Sequence, residues 1–194
     1  MRLFVAAELP PSLRLELAAV QEEMKSALLR VRWVRPEGIH LTLKFLGESG
    51  EARLDAIREA LAGAGRGIAP FRLRACGAVA YPERGAPRLI WIETRGDLES
   101  ARRLAHAIDA ATARLGFAPE SREFKAHLTL GRVQRSGRGP GPGTGDWRAA
   151  LLRAGEQASG EFEVKEYVLF QSRLDPGGAV YTPLGRFTLG GGSA

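Results

Sequence analysis

A single cysteine among 194 residues excludes an intramolecular disulfide and any metal site built from several thiolates. That residue, Cys76, sits among Leu73, Ala75 and Val79, which predicts an inert thiol in a buried strand. No run approaches the roughly 18 apolar residues of a membrane span. The apolar start is interrupted by Glu8 and Pro10 and is too short for a secretion signal. A cytoplasmic setting and no membrane partner are therefore expected. Histidine is scarce, with three residues, and no cluster of metal-ligand types stands out, so neither a metal nor another cofactor is expected.

What the chain does carry is positive charge. Lysine and arginine total 28 against 22 acidic residues, a formal net charge of +6. Such an excess draws in polyanions and makes nucleic acid a candidate partner. The preference for arginine over lysine, with abundant alanine and glycine, also follows from base composition, so charge alone decides little. A chain this long that is 44% hydrophobic can bury a core without covalent staples, either as one domain or as two lobes sharing a core.

One tetrapeptide, His-Leu-Thr-Leu, occurs twice, at 40–43 and 127–130, 87 residues apart. The same offset lays Leu3-Phe4-Val5 on Ile90-Trp91-Ile92, and Leu17 on Leu104. Apolar residues at helical spacing (Leu13, Leu17, Val20, Met24, Leu28) predict a helix over about 12–29, with Ser12 as its N-cap. Leu104, Ile108, Ala111 and Leu115 predict another over about 98–115, capped by Asp97 and ended by Gly116. Each half then reads strand, helix, strand with motif. Further helices are expected at 51–62 and 147–158, and strands at 71–79 and 162–170. The Gly/Pro-rich stretch 136–145 reads as a surface connection, and Gly63-x-Gly-x-Gly67 as a linker. The pattern predicts two βα-type lobes related by a pseudo-twofold.

Side chains alternate faces along a strand, so His40 and Thr42 project opposite to Leu41 and Leu43, and His127 and Thr129 opposite to Leu128 and Leu130. The leucines anchor the strands. The polar pairs would meet across a cleft, two imidazoles and two hydroxyls. That set suits a phosphodiester: one neutral histidine takes a proton from water, the other gives one to the leaving oxygen, and the threonines hold non-bridging oxygens. The pseudo-symmetry leaves open which histidine is acid and which is base. The third histidine, His106, falls within a helix and is expected at the surface.

At these residues the chain resembles the two-histidine phosphoesterases. More narrowly, it is similar to the bacterial and archaeal RNA 2′,3′-cyclic phosphodiesterases, the LigT-like or 2′-5′ RNA ligase-like proteins. The resemblance is carried by Arg2-Leu3-Phe4-Val5-Ala6, by Trp33-Val34-Arg35-Pro36-Glu37 leading into His40-Leu41-Thr42-Leu43-Lys44-Phe45-Leu46-Gly47, and by Pro87-Arg88-Leu89-Ile90-Trp91. It continues in Phe124-Lys125-Ala126-His127-Leu128-Thr129-Leu130-Gly131-Arg132 and closes with Ser172-Arg173-Leu174, Gly178 and Tyr181. One departure is Ala126, where the family often has proline. The resemblance implies hydrolysis of RNA 2′,3′-cyclic phosphate ends to a 2′-phosphate, with reverse 2′-5′ joining in some members. It implies His40 as proton donor, His127 as acceptor, and Thr42 and Thr129 as phosphate-binding groups.

The fold class expected is α+β: two pseudo-symmetric lobes, each a mostly antiparallel sheet with helices on its outer face, flanking a central cleft within a single bilobal domain, 1–194. Arg132 is expected to contact phosphate or RNA although it has the parity of the leucines, which requires the strand to bend near Gly131. Lys44, with the parity of His40 and Thr42, is expected in the same role. Phe45 is expected to stack on the terminal base. RNA ends with a cyclic phosphate, tRNA fragments among them, are the expected partner of a monomer. Two alternatives stand beside this reading: a phosphodiesterase of small cyclic nucleotides, and a non-catalytic module that binds RNA ends.

Overall fold

Residues Leu3 to Ala7 are all buried, so the strand they form, β1 (Arg2–Glu8), is covered on both faces. That favours a place inside a sheet over one at its edge. The computed structural model, which describes residues 1–25, 31–84, 86–134, 147–176 and 178–190, puts it there. The other strands are β2 (Val31–Trp33), β3 (His40–Glu48), β4 (Phe71–Tyr81), β5 (Leu89–Gly96), β6 (His127–Val133), β7 (Glu161–Val164), β8 (Glu166–Asp175) and β9 (Gly178–Thr188). They form one sheet in the order β7-β4-β5-β6-β3-β1-β8-β9, with β2 also on β6, and every pairing is antiparallel.

Four helices cover one face: α1 (Pro11–Lys25), α2 (Leu54–Ala64), α3 (Leu98–Ala113) and α4 (Trp147–Gln157). The stripe Leu13, Leu17, Val20 and Met24 of α1 and the pair Leu104 and Ile108 of α3 join Leu41, Leu43, Leu128 and Leu130 in a continuous core. The Asp97 side chain accepts from the Ser100 amide and caps α3, and Gly116 takes φ +82° just past its end. The opposite, open face holds a small separate cluster of Phe4, Ala6, Val168 and Phe170. The α+β class, the antiparallel sheets and the outer helices are as the sequence led us to expect. The end of the first helix (26–29) and the stretch 136–145 lie outside the described residues. No helix of the described residues is long and apolar enough to cross a membrane.

Two expectations are corrected. The halves of the sequence are not the lobes. β3 and β6 pair through Leu41 and Leu128 and join the lobes into one sheet. Beyond that seam the halves exchange parts: β4, from the first, pairs with β5, and β8, from the second, pairs with β1. The helices cross as well, α1 packing beside α4 and α3 beside α2 and β3. The stretch 162–170, expected as one strand, is two. It breaks at Lys165, so that Phe162 and Val164 pair with β4 while Val168 to Phe170 pair with β1. The only local mark of the junction is the polar pair Lys165-Glu166, which breaks the alternation of Phe162 and Val164 before the apolar run Tyr167 to Phe170.

Candidate active site

His40 and His127 each open a strand, and the two strands are neighbours at the seam of the sheet. The rings are held identically. Nδ1 of His40 lies 2.7 Å from the Gly38 carbonyl oxygen, and Nδ1 of His127 lies 2.7 Å from that of Lys125. A carbonyl only accepts, so Nδ1 carries the hydrogen and donates it in both. Each Nε2 is thereby left for chemistry. Leu41, Leu43, Leu128 and Leu130 are buried in the helix-side core, while both histidines and both threonines are half-buried on the open face. The alternation read from the sequence holds to this point.

It then breaks, at the same place in both strands. Ala6 pairs with Thr42 but Val5 with Lys44, so Leu43 is an extra residue. Trp91 pairs with Thr129 but Ile90 with Gly131, so Leu130 is extra. A bulge of this kind reverses the parity of the residues that follow it, on β3 as far as a second irregularity at Leu46. Arg132 therefore emerges exposed on the open face, as a contact with phosphate or RNA would need, without the strand ending. Phe45, its counterpart, emerges there too, 55% exposed, its ring 6.2 Å from that of Phe4.

The same bulge overturns the expectation for Lys44. It is turned into the core, its side chain 1% exposed, with Nζ donating to the Asp109 carboxylate of α3 and, at 2.9 Å, to the Ala118 carbonyl. It cannot meet a substrate. On β6 the corresponding tie is Gln21 of α1, whose Nε2 donates to the carbonyls of Leu130 (2.9 Å) and Val34 (2.8 Å). Each bulge is thus fixed from behind by the helix of the opposite half. Gly131 leaves room for β2, since a Cβ there would stand 2.4 Å from Cγ1 of Val31.

Several contributors were not singled out from the sequence. Phe4 stacks on His40 (centroids 4.9 Å apart) and Trp91 packs on His127 (4.3 Å). The 87-residue offset had laid these two on each other, which was the available signal. Tyr181 packs edge-on to His40 at 5.3 Å. Glu8 stands opposite His40 in the ladder and Glu93 opposite His127. This pairing relates β1 to β5 by 85 residues, not 87, which hid the glutamates. At Ala126, where proline was the family's habit, the Thr94 hydroxyl donates to the carbonyl (2.9 Å) and steadies the approach to His127. His106 is exposed on α3, and Cys76 is half-buried in β4.

Burial pushes the His40 imidazole down to about 4; the Gly38 carbonyl opposes this, and the nearby His127 and Arg14 reinforce it. His127 is lowered too, again chiefly by burial, with the Lys125 carbonyl opposing. Both rings are neutral at pH 7 in the free protein. The native state of His40 refuses a proton that the unfolded chain accepts below about 6.5, so stability is lost as pH falls through the window from 6.5 to about 4. We expect His40→Asn to retain up to about 3 kcal/mol more stability than the wild type at the bottom of that window, measured by urea unfolding at pH 7 and pH 4. Equal losses in both proteins would refute the assignment.

The chain matches the model of the family described as LigT like Phosphoesterase over residues 8–91 and 94–181. It is 37% identical over 184 residues to an RNA 2′,3′-cyclic phosphodiesterase of Archaeoglobus fulgidus, covering 95% of this chain and 98% of that one. The crystal structure of TT0787 of Thermus thermophilus superposes with a TM-score of 0.79 at 30% identity, covering 99% of this chain and all of the other. That of E. coli LigT complexed with 3′-AMP superposes with a TM-score of 0.72 at 29% identity, covering 97% of each chain.

Proposed function

Because the chain belongs to the LigT-like phosphoesterase family, we propose that it hydrolyses the 2′,3′-cyclic phosphate ends of RNA to a 2′-phosphate. The observation that carries this is the pair of equivalent imidazoles, each with Nδ1–H tied to a carbonyl and Nε2 unspent. The relatives named for this activity support the substrate.

The Nε2 lone pair of neutral His127 takes a proton from water as its oxygen attacks phosphorus. The P–O3′ bond breaks, and Nε2–H of protonated His40 delivers its proton to O3′. A 2′-phosphomonoester and a 3′-hydroxyl result, and a proton returning from His127 to His40 by way of solvent closes the cycle. The rings are neutral before binding; the bound phosphodiester anion, helped by the Glu8 charge, supplies the field that protonates one. Thr42 and Thr129 donate to the non-bridging oxygens, where charge grows in the transition state. Arg132 neutralises phosphate, and Phe45 offers a face to the terminal base. With the 5′-hydroxyl of a second RNA in place of water, the same transfer makes a 2′-5′ link. The chain works as one bilobal domain, 1–194, and as a cytoplasmic monomer, with tRNA fragments among its substrates.

In this chemistry the histidines and threonines suffice without a metal. The protein treated with EDTA is expected to convert an oligonucleotide 2′,3′-cyclic phosphate wholly to the 2′-phosphate at an undiminished rate. A 3′-phosphate product, or activity lost to chelator and restored by a divalent ion, would contradict the reading. A second reading, a small cyclic nucleotide as substrate, is favoured by the mononucleotide in the E. coli complex.

A further inference from the structure

The two motifs are equivalent, but their surroundings are not. Beside His40 opens a groove of about 590 Å³. It shares three residues with the site: Gly38, whose carbonyl holds the His40 ring, Tyr181, packed edge-on to that ring, and Arg132. Its walls gather three arginines, Arg32, Arg35 and Arg132, and one carboxylate, Glu37. Arg32 stands directly opposite Arg132 in the ladder of β2 and β6. Like charges so placed repel and cost stability.

Among the described residues none of the three is in an ion pair. Arg14, Arg58, Arg72, Arg102, Arg153 and Arg186 each face a carboxylate; what sets these three apart from the other described arginines outside ion pairs is that they line one groove beside the site. Apolar surface lies between the charges: Trp33 and Tyr181 in the wall, and Leu174, 76% exposed, at the rim. Unneutralised cations interleaved with rings are what a single-stranded nucleic acid needs, phosphates on the arginines and bases on the flat surfaces.

We propose that this groove binds the RNA strand that leads to the cyclic phosphate, the nucleotides on the 5′ side of the reacting ribose. The proposal rests on the function given above and deepens it, because it decides between the histidines. Displacement at phosphorus puts the attacking water and the leaving O3′ on opposite sides. O3′ belongs to the ribose whose strand fills the groove, so it falls toward His40, and water falls toward His127. The strand makes His40 the donor, a division the two motifs alone leave open.

The test is the double variant Arg32→Ala/Arg35→Ala, with Arg132 left in place. Its kcat/KM is measured at several salt concentrations on adenosine 2′,3′-cyclic phosphate and on an oligoribonucleotide of about six residues ending in a cyclic phosphate. The oligomer is expected to lose about tenfold or more, with a salt slope shallower by about 1.4, while the mononucleotide is hydrolysed as before. The melting temperature should hold or rise as the Arg32–Arg132 repulsion is relieved. An unchanged oligomer rate, or an equal fall on both substrates, would overturn the groove and leave the function standing. A wild type that opens neither cyclic phosphate would overturn the function and the groove with it.

Discussion

His40→Ala and His127→Ala are each expected to lower kcat/KM for a cyclic-phosphate RNA end by about 10³- to 10⁴-fold, with far-UV circular dichroism unchanged. Each removes one half of a proton relay, and a positioned acid or base is worth about 10²- to 10⁴-fold. The upper range applies because water is a poor nucleophile and an alkoxide a poor leaving group. The double variant should be little worse than either single one, since groups acting on one transition state are far from additive. The fold should survive. The rings lie on the open face, outside the core that the leucines of both motifs share with the helices. A loss below tenfold in either single variant would show that the imidazole removed does not transfer a proton.

Much of that site is legible in the sequence, and the reason is local. The parity of a strand fixes His40 with Thr42 and His127 with Thr129, and a strict repeat shows that both strands present the same pair. The helices α1 and α3 are legible from their apolar spacing, because each buries one stripe. What parity cannot show is where it stops. The extra positions themselves are leucines, Leu43 and Leu130, like any other in a core; only on β6 does a neighbour, Gly131, mark the bend, and β3 carries no such sign at Lys44. Lys44 was misplaced for this reason alone, and Arg132 and Phe45 reached the open face by the same device. The exchange of strands between lobes was hidden because it is a matter of pairing between segments far apart in the chain. Nothing near Phe71 or Val168 says which strand each will meet.

The buried lysine leads to the second large effect. Asp109→Ala is expected to destabilise the protein by about 3–5 kcal/mol, because it strands an ammonium group in the core with only the Ala118 carbonyl for company. For a chain of this length that is roughly a 10 °C fall in Tm, readable by calorimetry. Lys44→Met/Asp109→Leu should recover most of the loss, since an apolar pair of similar volume carries no desolvation cost. It should also keep kcat/KM for RNA within a few-fold of the wild type, because Lys44 faces away from the substrate. A stable double variant with activity down a hundredfold would restore Lys44 to the binding surface and displace the bulge as the explanation of its position.

The two helix ties make a common point. Lys44 to Asp109 and Gln21 to the Leu130 carbonyl each link a bulge to the helix of the other half. The residues just before those bulges are the phosphate-binding threonines we propose. The crossed helices thus hold both motifs in register on a single sheet, and a mobile interface between lobes is not required for chemistry.

The division of labour between the histidines is tested most directly by replacing O3′ of the cyclic phosphate with sulfur. A thiolate leaves without being protonated, so the need for a general acid disappears while the need for a base remains. The account predicts that His40→Ala regains most of the wild-type rate on the sulfur substrate and that His127→Ala stays inactive. Rescue of His127→Ala instead, or of neither variant, would contradict it.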